Sequence, residues 1–249
     1  MKASDIMAII PARSGSKSVR DKNITLLGGY PLLAYTIIAA RLSRKIDRVI
    51  VSTDSQYYAD VAAQYGAEVP FLRPAELSSD ASTDRDFMLH AMQWMQENES
   101  HVPEYWVHLR PTTPLRQVDV IDQAIDEIQR HPEATSLRSG HLCPESPLKW
   151  FKRDDAGFFH GLLDDESEYY NLPKQAFPDV YIPDGYVDVV RASCAMNNES
   201  LHGEAIRGFM SPICTEVDSP GELRYLEYQL QHEGSSLLSW LQEHYPQEQ

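Results

Sequence analysis

Short apolar, β-branched runs alternate along the chain with stretches in which apolar residues recur every three or four positions, and this alternation predicts most of the elements. Ile6 to Ile10 reads as a first strand, and the stretch 30–43 (YPLLAYTIIAARLS) as a helix. Residues 46–54 (IDRVIVSTD) predict a second strand ending in polar residues, and 55–67 a second helix with Gly66 as its stop signal. EVPFL (68–72) reads as a short third strand. Thr83 and Asp84 cap an amphipathic helix over 83–98, after which 105–116 (YWVHLRPTTPLR) predicts a strand running into a Pro-rich loop, and 118–131 another helix. This β-α-β-α order predicts an α/β fold with a doubly wound, mostly parallel sheet.

The regularity falters from about 137 to 183, where Pro144, Pro147, Pro173, Pro178 and Pro183 punctuate acidic and aromatic segments. This stretch reads as an insertion within one domain covering 1–249. Strand character returns at 185–190 (GYVDVV) and 209–217 (FMSPICTEV), followed by a helix over 221–233 and a second one in SSLLSWLQEHY.

Composition narrows the classes. A net charge of −15 argues against a nucleic-acid partner, which needs a basic face. Three widely spaced cysteines without a C-x-x-C pair suggest neither a disulfide framework nor a thiolate metal site, and a reducing cytoplasm is expected. No stretch approaches the ~18 apolar residues of a membrane span, and a membrane partner is not expected. Against this acidic background the stretch 11–23 (PARSGSKSVRDKN) stands out, with Arg13, Lys17, Arg20 and Lys22 around a small-residue core directly after the first strand. A local cationic cluster in an acidic protein implies a small anionic ligand.

In open α/β sheets ligands bind beyond the carboxyl ends of the strands, so the loops at 11–23, 52–54, 109–116 and 215–223 are the candidate chemistry. The first is neither a Walker loop, since no Gly precedes Lys17 at the required spacing, nor a G-x-G-x-x-G dinucleotide loop. What remains is a longer loop whose amides and cations can surround a triphosphate.

With these residues in view the chain resembles the acylneuraminate cytidylyltransferases, or CMP-sialic acid synthetases. Their opening signature is matched by residues 11–23, with Ser18 where the family usually has Gly. DRVIVSTD (47–54), YGAEVPFLRPAELSSD (65–80), LRPTTPLR (109–116), LPKQAFPDVYIPDGYVDV (172–189) and EVDSPGEL (216–223) follow in the family's order. The resemblance implies a nucleotidyltransferase fold of Rossmann type and Mg2+-dependent transfer from CTP to the anomeric hydroxyl of a nonulosonic acid, with release of pyrophosphate. It implies that Arg13 and Lys22 grip the triphosphate, assisted by Ser16 and Lys17, with Asn23 near the nucleotide. Arg73, the Ser79–Asp80 region and Asp84 would line the nucleotide pocket; taken alone, Arg73 equally suits a surface ion pair with Glu76.

Mg2+ needs hard oxygen ligands, one or two of them carboxylates. By family position Asp218 is the first candidate and Glu216 the second, on one face if the strand continues that far. Asp218 also suits the N-cap of the helix starting near Pro220. For the sugar, the resemblance points to Arg110, Thr112, Lys174, Gln175, Asp184 and Tyr186. Two spellings depart from the family there: Q-P-T-S-P-L-R becomes R-P-T-T-P-L-R from Arg110, and R-Q…NGAIY becomes Lys174-Gln175…Asp184-Gly185-Tyr186-Val187-Asp188. These changes suit a related acid such as legionaminic acid as readily as N-acetylneuraminic acid. The family further implies a homodimer in which the insertion, with Lys174, completes the partner's sugar site. Nine histidines lack metal-ligand spacing; His90 reads as a packing residue, and His101 and His108 flank a strand and lack a nearby Cys or Asp in sequence. Two other readings stay open: a nucleotidyltransferase for 3-deoxy-octulosonate or a sugar 1-phosphate, and a non-catalytic nucleotide binder.

Overall fold

The computed structural model describes residues 5–16, 18–163 and 168–247. Ten strands and seven α-helices follow in the order β1 (Ile6–Pro11), β2 (Leu26–Leu27), β3 (Tyr30–Pro31), α1 (Leu32–Leu42), β4 (Arg48–Ser52), α2 (Gln56–Gln64), α3 (Asp84–Asn98), β5 (Tyr105–His108), α4 (Val118–Arg130), β6 (Ser136–Leu142), β7 (Phe151–Arg153), β8 (Phe159–Gly161), β9 (Tyr181–Arg191), α5 (Ala192–Asn197), β10 (Ile206–Met210), α6 (Pro220–Glu233) and α7 (Ser236–His244) among the described residues. A six-stranded sheet in the order β10-β6-β9-β5-β1-β4 forms the centre, and β9 alone runs against its neighbours. The expected mostly parallel α/β sheet is present.

The unbroken apolar run of β1 follows from burial on both faces. Ile6, Ala8 and Ile10 join a core with α1, α4, α6 and α7, while Met7 and Ile9 face a second core with α3 and α5. Helix α1 is buried from Leu32 to Ala40, which explains why its apolar residues leave little polar face.

One expected strand is absent and another has different bounds. Residues 68–72 make only isolated bridges, Glu68 to Ile50 and Leu72 to Thr53, because Pro70 between them has no N–H to donate. The expected 209–217 strand is β10, which ends at Met210; Pro212 interrupts it, and the chain crosses the sheet until the Val217 N–H donates to the Thr112 carbonyl at 2.8 Å. The irregular stretch from 137 to 183 begins and ends inside strands of the central sheet, β6 and β9. The part outside the sheet, 143–180, carries the antiparallel ribbon β7–β8 and three short 3-10 turns. Among the described residues no helix is long and apolar enough to cross a membrane.

Candidate active site

A cleft of about 480 Å³ lies beyond the carboxyl ends of β1, β4 and β5, between the basic loop after β1 and the start of α3. Arg13, Ser16, Lys22, Asn23, Arg73, Asp84, Arg110 and Thr112 line it, so eight of the expected nucleotide and sugar residues converge on one concavity. Lys17 lies outside the described residues.

The loop is held in place from the side. Asp54, just after β4, accepts the Ser14 N–H at 2.7 Å and the Ser14 hydroxyl at 2.9 Å. The Asn23 amide donates to the Arg13 carbonyl at 3.0 Å, and the Tyr58 hydroxyl donates to Asp21 at 3.0 Å. Asp21 itself adopts a left-handed conformation (φ 51°), which a short polar side chain tolerates and which turns the chain back toward Lys22.

Each cation in the cleft is oriented by a partner. Arg13 pairs with Asp80 at 2.9 Å, Lys22 with Asp218 at 2.9 Å, and Arg110 with Asp84 at 2.7 Å and with Asp188 at 3.2 Å. Arg73 differs. It is 5% exposed and donates to the Ser52 hydroxyl at 3.0 Å and the Ser52 carbonyl at 2.5 Å, its guanidinium lying over the Phe87 ring. Both partners on Ser52 are neutral, and Arg73 makes no pair with Glu76. Burial lowers its pKa to about 10, with Asp54 opposing and Arg13 reinforcing the shift, and it stays a cation at neutral pH. A buried cation on neutral partners at the wall of a cleft raises the local potential for an anion.

The acidic corner is assembled otherwise than by a continuous strand. Glu216 accepts the Thr112 hydroxyl at 2.8 Å, which ties it to the loop after β5. Ser219, and not Asp218, caps α6 in a capping box with Glu222, whose carboxylate accepts the N–H groups of Ser219 (2.6 Å) and Asp218 (2.7 Å). The Asp218 carboxylate is therefore spared from capping and faces Lys22 across the cleft mouth, two-thirds exposed. Asp218 and Glu216 offer hard carboxylate oxygens, the donor type that Mg2+ takes beside substrate oxygens and water. Among the described residues no cluster of three His, Cys, Asp or Glu side chains forms a metal cage.

Four expected sugar residues lie outside the cleft lining. Asp184 is buried and accepts the Ser139 hydroxyl (2.6 Å), the Tyr186 N–H (3.0 Å) and Ser211, with His141 3.3 Å away. Burial raises its pKa, but these hydrogen bonds outweigh burial and the net shift is downward. Tyr186 is a core side chain whose hydroxyl accepts the Gln117 N–H at 2.5 Å. Lys174 and Gln175 sit exposed on a short turn in the 143–180 segment, because the chain there stands off the sheet.

The fold also supplies histidine partners that the sequence does not show. His101 pairs with Asp5. His108 is fully buried, with Nδ1 3.9 Å from Asp188 and 4.0 Å from Asp84, and neither ring nitrogen makes a hydrogen bond among the described residues. Burial, then the charge of Arg110, push its pKa down to about 3, so it is neutral at pH 7. Burial raises the Asp84 pKa, yet the positive groups around it prevail and the net shift is downward; with His108 neutral, Arg110 is the neighbour that holds Asp84 ionised. Asp188 escaped the sequence reading because its role depends on strand order: β9 inserts between β5 and β6 and sets it opposite both His108 and Arg138.

Comparison with known proteins bears on the family and the fold. A family model described as cytidylyltransferase matches residues 7–173. An N-acylneuraminate cytidylyltransferase of Escherichia coli O18:K1:H7 is 45% identical over 120 residues, covering 48% of this chain and 27% of that protein. A CMP-N,N'-diacetyllegionaminic acid synthase of Legionella pneumophila is 41% identical over 121 residues, 49% of this chain and 52% of that protein. The matched stretch thus spans about half or less of these relatives. A solved CMP:2-keto-3-deoxy-manno-octonic acid synthetase complexed with CTP superposes with a TM-score of 0.69 over 92% of this chain and 100% of its own, at 16% identity, and shares the fold. The chain belongs to the cytidylyltransferase family.

Proposed function

We propose that this protein activates a nonulosonic acid with CTP, giving the CMP-sugar and pyrophosphate. The acceptor's anomeric oxygen bonds to the α-phosphorus, the bond from that phosphorus to the bridging oxygen breaks in line, and the hydroxyl proton is lost to solvent or a nearby base. The observation that carries the reading is the cleft itself: Arg13 and Lys22 from the loop after β1 line it together with Arg73, and two of its lining residues, Lys22 and Thr112, pair with Asp218 and Glu216. Positioning and neutralisation of phosphate charge are the main demands of such a transfer. Arg13 and Lys22 bind the triphosphate, exchanging their Asp80 and Asp218 partners for phosphate oxygens. Arg73, fixed on Ser52, presents a charge that needs no rearrangement, and Asn23 steadies the loop through the Arg13 carbonyl.

Asp218, with Glu216 beside it, would hold Mg2+; the ion when bound neutralises phosphate charge and polarises the reacting phosphorus. The names of the relatives support a sialic-type acceptor, legionaminic acid included. Arg110 in place of an amide favours an acceptor other than one read by Gln. Trp150, Phe151, Phe158 and Phe159, all 47% exposed or more on the 143–180 segment, support a homodimer in which this segment and Lys174 reach the partner's site. Three free cysteines suit a cytoplasmic setting. The test is pyrophosphate release from CTP and Mg2+ with N-acetylneuraminic, legionaminic or pseudaminic acid. Release with at least one acid and none without is expected; no release with any of them refutes the reading.

A further inference from the structure

Arg110 in place of Gln and Asp188 at the end of the NGAIY-like stretch both depart from the family's spelling, and the fold brings the two together. Arg110, just after β5, lines the cleft with Arg13, Lys22 and Asp84. Its carbonyl accepts the Arg116 Nη2 at 2.7 Å, and its stem runs against Gly185, where a Cβ would stand 3.1 Å from the Arg110 Cδ. Its guanidinium donates through Nη1 to Asp188 at 3.2 Å and through Nη2 to Asp84 at 2.7 Å.

The two carboxylates that receive it differ. Asp188 is 1% exposed and stands on β9 directly opposite His108 on β5 and Arg138 on β6. Its Oδ2 takes Arg110, and its Oδ1 faces the Arg138 Nε at 3.5 Å, so each carboxylate oxygen answers one arginine. Close packing leaves such a side chain little freedom. Asp84, the first residue of α3, is partly exposed in the cleft. Arg110 therefore has a fixed partner behind it and an exchangeable one in front. A guanidinium has more N–H groups than these two contacts use. With Asp84 and Asp188 balancing its charge, the remaining donors suit a neutral oxygen, a hydroxyl or an acyl carbonyl, better than a further anion. Without Asp188 the fork would lose the contact that sets its plane, and small displacements of a positioning group weaken a site steeply.

We propose that Asp188 is a positioning residue for the acceptor acid: it holds the Arg110 guanidinium so that its remaining N–H groups meet a hydroxyl or acyl carbonyl of the acid in the cleft. This rests on the functional reading above. The test measures KM for CTP and for each acid that wild type accepts, in Asp188→Asn, Arg110→Met, the double variant and Arg110→Lys. In Asp188→Asn, which keeps the volume and removes the charge, the acceptor KM is expected to rise on the order of 10-fold or more while the KM for CTP stays within about twofold. Added to Arg110→Met, Asp188→Asn should change the acceptor KM by less than about twofold, because no guanidinium is left to hold. A merely structural role would move both KM values or add its full effect to that of Arg110→Met, and either result overturns the proposal. Arg110→Lys decides the case even where Asp188→Asn does not fold: an ammonium keeps the charge but lacks the planar fork that spans both carboxylates, so the acceptor KM should rise, and a wild-type value overturns the proposal. Failure of the wild type on every acid would instead strike the functional reading, and the proposal with it.

Discussion

Replacing His108 should change how stability depends on pH more than it changes stability at neutral pH. The ring is fully buried, makes no hydrogen bond among the described residues, and is held neutral by burial and by Arg110. An unfolded chain takes up a proton at a histidine near 6.5, whereas the folded site refuses it until about 3. The folded pKa is depressed, so the unfolded state binds the extra proton and stability falls as pH drops through the window between those two values. With the folded site still unprotonated, the loss between about pH 7 and pH 5 is RT ln(1 + 10^(pKa − pH)) evaluated for the unfolded histidine, about 2 kcal/mol. That corresponds to roughly 4–8 °C in melting temperature for a chain of this size. In His108→Leu the term vanishes. The variant should match or exceed wild type at neutral pH, since an unpaired polar ring is replaced by an apolar side chain, and it should lose about 2 kcal/mol less on acidification. Urea denaturation of both proteins at the two pH values measures this difference directly. His202, whose pKa is also lowered first by burial, is present in both proteins and contributes to both curves. Parallel stability curves for the two proteins would refute the assignment of a buried neutral His108.

The remaining predictions concern the mouth of the cleft. Lys22→Ala and Asp218→Ala should each lower turnover by about 100-fold or more without altering the melting temperature appreciably, and near-normal rates in both would remove their roles. Ser219→Ala should cost about 1 kcal/mol by undoing the cap of α6, seen as a lower urea midpoint, whereas Asp218→Ala should leave that midpoint in place because its side chain caps nothing.

Much of the fold was legible because its signals are local. The apolar run of β1, the Thr83 cap of α3 and the helical spacing of α4 each depend on neighbours in sequence. The basic loop was legible for the same reason: its cations lie within a dozen residues and directly follow a strand. What could not be read depends on which segments meet. The 68–72 stretch has the composition of a strand, but Pro70 limits it to bridges against β4. Asp218 and Ser219 both suit an N-cap, and only the return of Glu222 to the Ser219 and Asp218 N–H groups decides between them. Arg110 for Gln and Asp188 at the end of the NGAIY-like stretch look like separate departures in sequence, yet they form one ion pair at 3.2 Å, created by the insertion of antiparallel β9 beside β5. Asp184 and Tyr186, near neighbours of Asp188 along the chain, are taken up by the interior because Asp184 binds Ser139 on β6 and Tyr186 packs under the Gln117 N–H.

The central claim is that the cationic cleft after β1 seats the triphosphate of CTP between Arg13, Lys22 and Arg73, with the Asp218 corner at its edge. A crystal structure of the protein with CTP tests it most directly. The account predicts phosphate oxygens within hydrogen-bonding distance of Arg13, Lys22 and Arg73, with Asp80 displaced from Arg13; a nucleotide bound elsewhere, leaving the Arg13–Asp80 and Lys22–Asp218 pairs intact, would contradict it.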